Sequence, residues 1–365
     1  MKGPSSLPIL VKQLKSKPTL HPPGHSPRLL STAAPPSRPY RFHIGASWSG
    51  KPAEPRKVPI KTGPFPPNSP IGAWRDHVLS RPKAVPGTHI GEDFLYIQEM
   101  RGQSGVSLGV ADGVGGWVDS GDDPSLFSQA LMYHAHRYSK SSWAGEPEID
   151  PTLDYEERES VEGWELRPEQ CMDLAYQGVM RERGVTNGSS TACIVNLNTS
   201  SGALRAANLG DSGFCIIRSS SVIHEQKSQT HFFNCPRQLA KISNPRLRPT
   251  IHDTPQDADV FETKLRDGDI VILYTDGLSD NVFMSELTSI CALVSRQFSD
   301  RSGPNAEDAQ VQAMADRIVD YTTMVMHMKR RVSPFQLAAS RENLFFLGGK
   351  VDDVTVIVAL VRETA

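Results

Sequence analysis

Apolar runs of strand length recur along the chain, and four of them meet an acidic residue at one end. Residues 107–111 (SLGVA) lead into Asp112, which is followed by glycines at 113, 115 and 116. Residues 270–274 (IVILY) lead through Thr275 into Asp276 and Gly277. Asp352 and Asp353 stand immediately before 354–361 (VTVIVALV), and Glu92 and Asp93 before the short run 94–97 (FLYI). Continuous apolar runs bounded by turn residues predict buried strands. Between 191 and 218, the runs TACIVNL, ALRAANL and GFCIIR are separated by NTSSG and by Gly210-Asp211-Ser212. They predict three strands of an antiparallel meander, with Asp211 as a turn carboxylate bonding its own backbone.

Helical spacing appears elsewhere. Phe127, Ala130, Leu131, His134 and Tyr138 share one helical face. Pro168 starts a second helix carrying Cys171, Leu174, Ala175, Gly178 and Val179, with proline at the permitted first position. Ser285 is the expected cap of a third, with Leu287, Ile290, Cys291 and Val294 on one side. A fourth follows Pro304, with Val311, Met314, Ala315, Ile318, Val319 and Val325. Residues 141–166 have no clean period and read as a surface insertion, and 231–255 as irregular covering segments. Hairpin-linked strands with amphipathic helices in separate runs predict an α+β layered domain.

Charge changes this picture at the N-terminus. The formal net charge is −2, but residues 1–61 hold eleven Lys and Arg and one acid, Glu54. Of 39 basic and 41 acidic residues overall, that leaves the rest of the chain at about −12. An acidic body argues against nucleic-acid binding and suits a site that concentrates cations. Residues 1–60 are basic, rich in Pro and Ser, and acid-free before Glu54, which is the pattern of an organelle-targeting segment. Arg28-Leu29-Leu30-Ser31 resembles a matrix-protease cleavage site. The competing reading of this stretch is a disordered Pro-rich tail. Residues 61–89 read as linker, and the folded body is expected from Ile90 to 362. No apolar run approaches the roughly 20 residues a membrane helix needs. The five cysteines (171, 193, 215, 235, 291) contain no C-x-x-C pair and none sits in a phosphate-cradling loop. They read as free thiols in a reducing compartment.

Each acid at a strand end has an ordinary explanation as a turn or cap residue. Glu92 and Asp93, adjacent at a strand start, read by themselves as solvated, but Asp112, Asp276 and the Asp352–Asp353 pair together have a chemical explanation. Carboxylates converging on one point repel and take up protons unless a cation lies between them. Carboxylate, carbonyl and water oxygens are what hard divalent cations such as Mg²⁺ and Mn²⁺ prefer. Gly113 carries no side chain, so its carbonyl can approach whatever Asp112 binds.

The motifs GEDF (91–94), GVADGVGGW (109–117), GSSTACIV (188–195), ANLGDSGF (207–214), YTDGLSDN (274–281), SPFQLAA (333–339) and GGKVDDVTVIV (348–358) occur in this order. In that combination the chain resembles the metal-dependent serine/threonine protein phosphatases of the PP2C (PPM) class, in particular their mitochondrial, Ptc-seven-like branch. The resemblance covers roughly residues 90–361. It implies a PP2C-like α-β-β-α sandwich, two antiparallel sheets flanked by helices, with the acids lining a cleft at one end. It implies two Mn²⁺ or Mg²⁺ ions and phosphorylated protein substrates, with phosphoserine or phosphothreonine attacked by a water bridging the ions. On that pattern Asp112 bridges the ions and Gly113 gives its carbonyl to one. Asp276 and Asp352 complete the other. Glu92 holds metal-bound water, with Asp93 in support. Asp353, where many relatives carry Asn, is expected to act from behind the ligands. The same resemblance points to the mitochondrial matrix.

Three positions depart from the pattern. Val114 stands where many relatives have a histidine proposed to protonate the leaving group. The stretch before Glu92 lacks the phosphate-gripping Arg, leaving His89 and Lys83 as cationic candidates. Thr186 and Asn187 stand where a third metal-binding acid occurs. The alternatives to catalysis on phosphoproteins are a catalytically silent phosphoprotein-binding member and a phosphatase for small metabolites.

Overall fold

The computed structural model describes residues 38–52, 58–145, 165–243, 253–301, 303 and 305–364. Strands and helices are numbered in chain order. One sheet orders β1 (Tyr40–Ser49), β14 (Val354–Glu363), β13 (Ile270–Tyr274), β7 (Gly213–Arg218) and β8 (Ser221–Glu225). The other orders β12 (Asp259–Lys264), β6 (Ala203–Leu209), β5 (Ala192–Asn198), β3 (Gly105–Asp112) and β2 (Asp93–Glu99). All pairings in both sheets are antiparallel. Two small ladders lie outside them: β4 (Asn187–Ser190) with β11 (Leu239–Ile242), and β9 (Thr230–Phe232) with β10 (Cys235–Pro236).

The helices are α1 (Pro70–Leu79), α2 (Ser125–Lys140), α3 (Pro168–Arg181), α4 (Asp276–Ser279), α5 (Met284–Phe298), α6 (Ala306–Met326) and α7 (Pro334–Arg341). Side chains alternate across a strand, and in the first sheet both faces are apolar. Phe214, Ile216, Val271, Leu273, Ile357 and Ala359 pack towards the second sheet. Their neighbours Cys215, Ile217, Ile272, Val356 and Val358 pack with the stripes of α5 and α6, among them Leu287, Cys291, Met314 and Ile318. α2 and α3 cover the outer face of the second sheet. The result is four layers, helix–sheet–sheet–helix, which is the expected α+β sandwich. Two-sided burial is why the strand runs read as continuous apolar stretches instead of alternating ones.

Several expectations are corrected. The folded body begins by Tyr40, not at Ile90: β1 pairs with β14 over its whole length, from Tyr40 opposite Glu363 to Ser49 opposite Val354. Trp48 of β1 is fully buried. Helix α1 lies within the stretch read as linker, started by Ser69, whose Oγ accepts from Gly72 N at 3.1 Å. Its Ile71 and Val78 are buried.

The chain does not form a β5–β6–β7 meander. β5 and β6 pair, but β7 enters the other sheet, against β13 and β8. Gly210 makes the crossing. Its φ is +104°, and a Cβ there would lie 2.6 Å from the Thr191 side chain and 2.7 Å from Arg237 O. Any other residue would be strained and would clash.

Helix α5 starts one residue before Ser285. Phe283 is its N-cap, and Glu286 Oε2 accepts from Phe283 N at 2.9 Å. The segment read as irregular between 231 and 242 contains parts of both small ladders. Residues 1–37, with the Arg28–Ser31 site, and residues 146–164 of the surface insertion lie outside the described residues. Among the described residues no helix is long and apolar enough to cross a membrane.

Candidate metal centre

The acids collect where strands of both sheets end. Asp93 opens β2 and Asp112 closes β3, and the two face each other across that pair. Asp276 is the first residue of α4, two positions after β13 ends. Asp352 and Asp353 precede β14. Asp211 lies on the link between β6 and β7, so the crossing between sheets brings it to the same end. Carboxylate oxygens of Asp112, Asp211 and Asp276 all lie within 4.8 Å of one another. Asp211, read from sequence as a turn carboxylate, is therefore part of the cluster. The sequence signal that could have found it is its place in GDSG between two largely buried strands, whose burial would leave a turn carboxylate little water.

Each acid is held by a local device. Asp112 N donates to Thr191 Oγ1 at 3.1 Å, and Thr191 Oγ1 shares a hydrogen bond with Ser212 Oγ at 2.7 Å. Thr191 N donates to Asp112 O and Val114 N to Ser189 O. That pairing leaves the N–H and carbonyl of Gly113 on the side of Glu92, where Gly113 N donates to Glu92 O at 3.1 Å. Thr275 Oγ1 donates to Asp93 Oδ2 at 2.8 Å. Asp353 accepts from Lys51 N at 2.7 Å and Glu92 N at 2.8 Å. A Cβ on Gly91 would fall 1.8 Å from Asp353 Oδ1, and its φ is +76°. Asp353 thus staples the end of β1 to the start of β2 and turns away from a ligand role.

Two cations that sequence reasoning missed enter the centre. Lys51 Nζ lies 3.0 Å from Glu92 Oε2, 3.0 Å from Asp352 Oδ1 and 3.6 Å from Asp353 Oδ2. Lys350 Nζ contacts Asp276, Asp280 and Asp352. Lys51 lies in the stretch whose composition reads as a targeting segment. Asp280 stands four residues after Asp276, on the same side of the turn. Of the cationic candidates named from sequence, Lys83 is engaged elsewhere and His89 packs beside Gly50. Lys83 Nζ bonds Val85 O at 2.8 Å and sits over the Trp48 ring. His89 O accepts from Gly50 N. Thr186 and Asn187 donate to Asp122, both at 3.2 Å.

The electrostatics describe a centre short of positive charge. Burial, and then the carboxylates of Asp276, Asp93, Asp352 and Asp211, push the Asp112 carboxyl well above the ordinary range. Burial and Asp353 do the same to Asp93, and burial with Asp276 and Asp280 to Asp211. Burial opposes ionisation of Asp276 too, but the Lys350 ammonium outweighs it and holds that carboxyl low. Asp93 Oδ1 and Asp276 Oδ1 are buried with no hydrogen-bond partner. A hard, oxygen-only donor set with orphaned buried carboxylate oxygens fits divalent cations. Cys171, Cys193, Cys215 and Cys291 are buried and Cys235 half-buried, and burial raises each thiol, Cys171 to about 11.

No family model matches the chain. Among solved structures, that of the photosystem II phosphatase PBCP superposes with a TM-score of 0.57 over 88% of this chain and 98% of that one, at 24% identity, which speaks to the fold. Sequence relatives go further. The protein phosphatase PTC7 homolog fig of Drosophila grimshawi is 34% identical over 273 residues, 74% of this chain and 80% of the relative. The protein phosphatase PTC7 homolog of Homo sapiens is 33% identical over 282 residues, 76% of this chain and 81% of the relative. Fold and relatives define one class, the PP2C-type protein phosphatases. The chain belongs to that family, in its PTC7-homologue branch.

Proposed function

We propose that this protein hydrolyses phosphoserine and phosphothreonine in proteins, using two divalent ions, Mn²⁺ or Mg²⁺. The observation that carries the metal reading is the meeting of Asp112, Asp211 and Asp276 from both sheets within 4.8 Å. Asp112, the Gly113 carbonyl, Asp276 and Asp352 would hold the ions, with Glu92 and Asp93 beside them and Asp211 added to the set. When bound, such a pair would lower the pKa of a water towards neutrality and neutralise charge on phosphoryl oxygens.

The chain's own residues do the remaining work. Thr191 and Ser212 fix the backbone that aims Asp112. Asp353 fixes Lys51 by its backbone, leaving the ammonium free to exchange Glu92 and Asp352 for a phosphate oxygen. Lys51 then supplies the grip of the Arg that is missing from the stretch before Glu92. An ammonium suits this as a point charge for phosphate. Val114 offers the leaving group no proton. The intact acid set favours catalysis over a silent binding role. Phosphate release from a phosphoserine peptide with Mn²⁺, Mg²⁺ or chelator tests the assignment.

We also propose mitochondrial import, on the basic, acid-free composition of residues 1–37. A reporter fused behind that segment should reach mitochondria, and a diffuse reporter would refute it.

A further inference from the structure

Lys350 is more tightly placed than a lysine needs to be for a surface ion pair. Its Nζ lies 2.6 Å from Asp276 Oδ2, 2.7 Å from Asp280 Oδ2 and 3.2 Å from Asp352 Oδ2. The side chain is 17% exposed. A four-carbon stem ordinarily leaves an ammonium mobile, but here the residue is pinned from its backbone. Lys350 N donates to Asn281 Oδ1 at 2.9 Å, and Asn281 Nδ2 donates to Lys350 O at 2.8 Å. The same Nδ2 donates to Gly277 O at 2.9 Å, beside Asp276. One fully buried amide therefore ties the lysine to the short helix that carries Asp276. On the other side the Nζ lies 5.1 Å from the centre of the Phe335 ring.

Three carboxylates around one centre form the arrangement a divalent ion would otherwise complete. An ammonium completes it instead. Asp276 thus has two roles: Oδ2 is committed to Lys350, while Oδ1 is buried without a partner in the residue that also meets Asp112 and Asp211. We propose that Lys350 is a built-in third cation. It occupies the Asp276–Asp280–Asp352 side of the cluster, so that two exchangeable ions bind and not three. It also holds Asp276 and Asp352 in position before any ion arrives, which makes it a positioning residue. The inference rests on the two-ion reading above.

The physical reason for such a device is self-repulsion. Crowded buried carboxylates oppose folding unless paired, and an ion that must be captured from solution gives no help while absent. A covalently tethered ammonium gives it from the start.

The test counts ions and does not depend on turnover. The full-length chain is titrated with Mn²⁺ by calorimetry, and bound Mn²⁺ is measured by elemental analysis. Wild type should bind two. Lys350→Met, which keeps the stem and removes the charge, should bind one more. In EDTA its thermal midpoint should fall by about 4 °C or more, and Mn²⁺ should restore it. Adding Asp280→Asn to Lys350→Met should return the count to two. An equal count in wild type and Lys350→Met overturns the proposal. If Lys350→Met does not fold even with Mn²⁺, the double variant, which loses a carboxylate with the cation, should fold. A double variant that also stays unfolded overturns the proposal. A wild type that binds no Mn²⁺ overturns the two-ion reading beneath it.

Discussion

Asp112 and Asp211 come from chain segments serving different sheets, yet their carboxylate oxygens lie within 4.8 Å of each other and of Asp276. Asp112 closes β3 of the second sheet, while Asp211 sits on the link by which the chain leaves that sheet for the first. The centre is thus a joint between the sheets, and its two acids should be separable by mutation. Asp112→Asn is expected to lower kcat by at least about three orders of magnitude, since on the proposed assignment it removes a ligand shared by the two ions. Asp211→Asn, at the edge of the same set, is expected to cost about 10- to 100-fold, in activity and in Mn²⁺ affinity. Steady-state kinetics with metal titration measure both. An Asp112→Asn variant retaining a tenth of wild-type turnover would remove Asp112 from its assigned role.

Lys51 makes a different kind of prediction. If its ammonium grips the substrate phosphate, Lys51→Ala should lose a charge-assisted contact worth about 1.5–3 kcal/mol. That corresponds to roughly 10- to 100-fold in kcat/KM. Inhibition by inorganic phosphate should weaken in step, and Lys51→Arg should keep most of both. Unchanged phosphate inhibition in Lys51→Ala would leave the lysine as a counter-ion of Glu92 and Asp352 only.

Trp48 tests where the fold begins. It is fully buried on β1, in a stretch that composition assigns to a targeting segment. Trp48→Ala should cost about 3–5 kcal/mol in denaturant unfolding. A cost below about 0.5 kcal/mol is what a surface or linker residue would give.

Much of this architecture is legible in the sequence where a signal is local. The stripes of α2, α3, α5 and α6 and the apolar runs of β3, β13 and β14 stand where periodicity puts them. Asp112, Asp276 and Asp352 stand out because each adjoins such a run. What escapes is decided by tertiary geometry. β1 alternates apolar residues with Arg41 and His43 inside a basic, proline-rich neighbourhood, and only its pairing with β14 makes it a strand. The β6–β7 link has the composition of a hairpin turn, and nothing local says that its two strands belong to different sheets. Misreading that link is what cost Asp211 its place in the site. Lys51 and Lys350 are ordinary in sequence and acquire meaning from the carboxylates that the fold brings to them.

The central claim is a protein phosphatase whose acid cluster works by holding divalent ions. It is tested most directly by phosphate release from a phosphoserine peptide, measured with Mn²⁺, with Mg²⁺ and in excess EDTA. The geometry of Asp112, Asp211 and Asp276 predicts turnover with added metal, its loss in EDTA, and its return when metal is restored. Full turnover in excess EDTA would contradict the account.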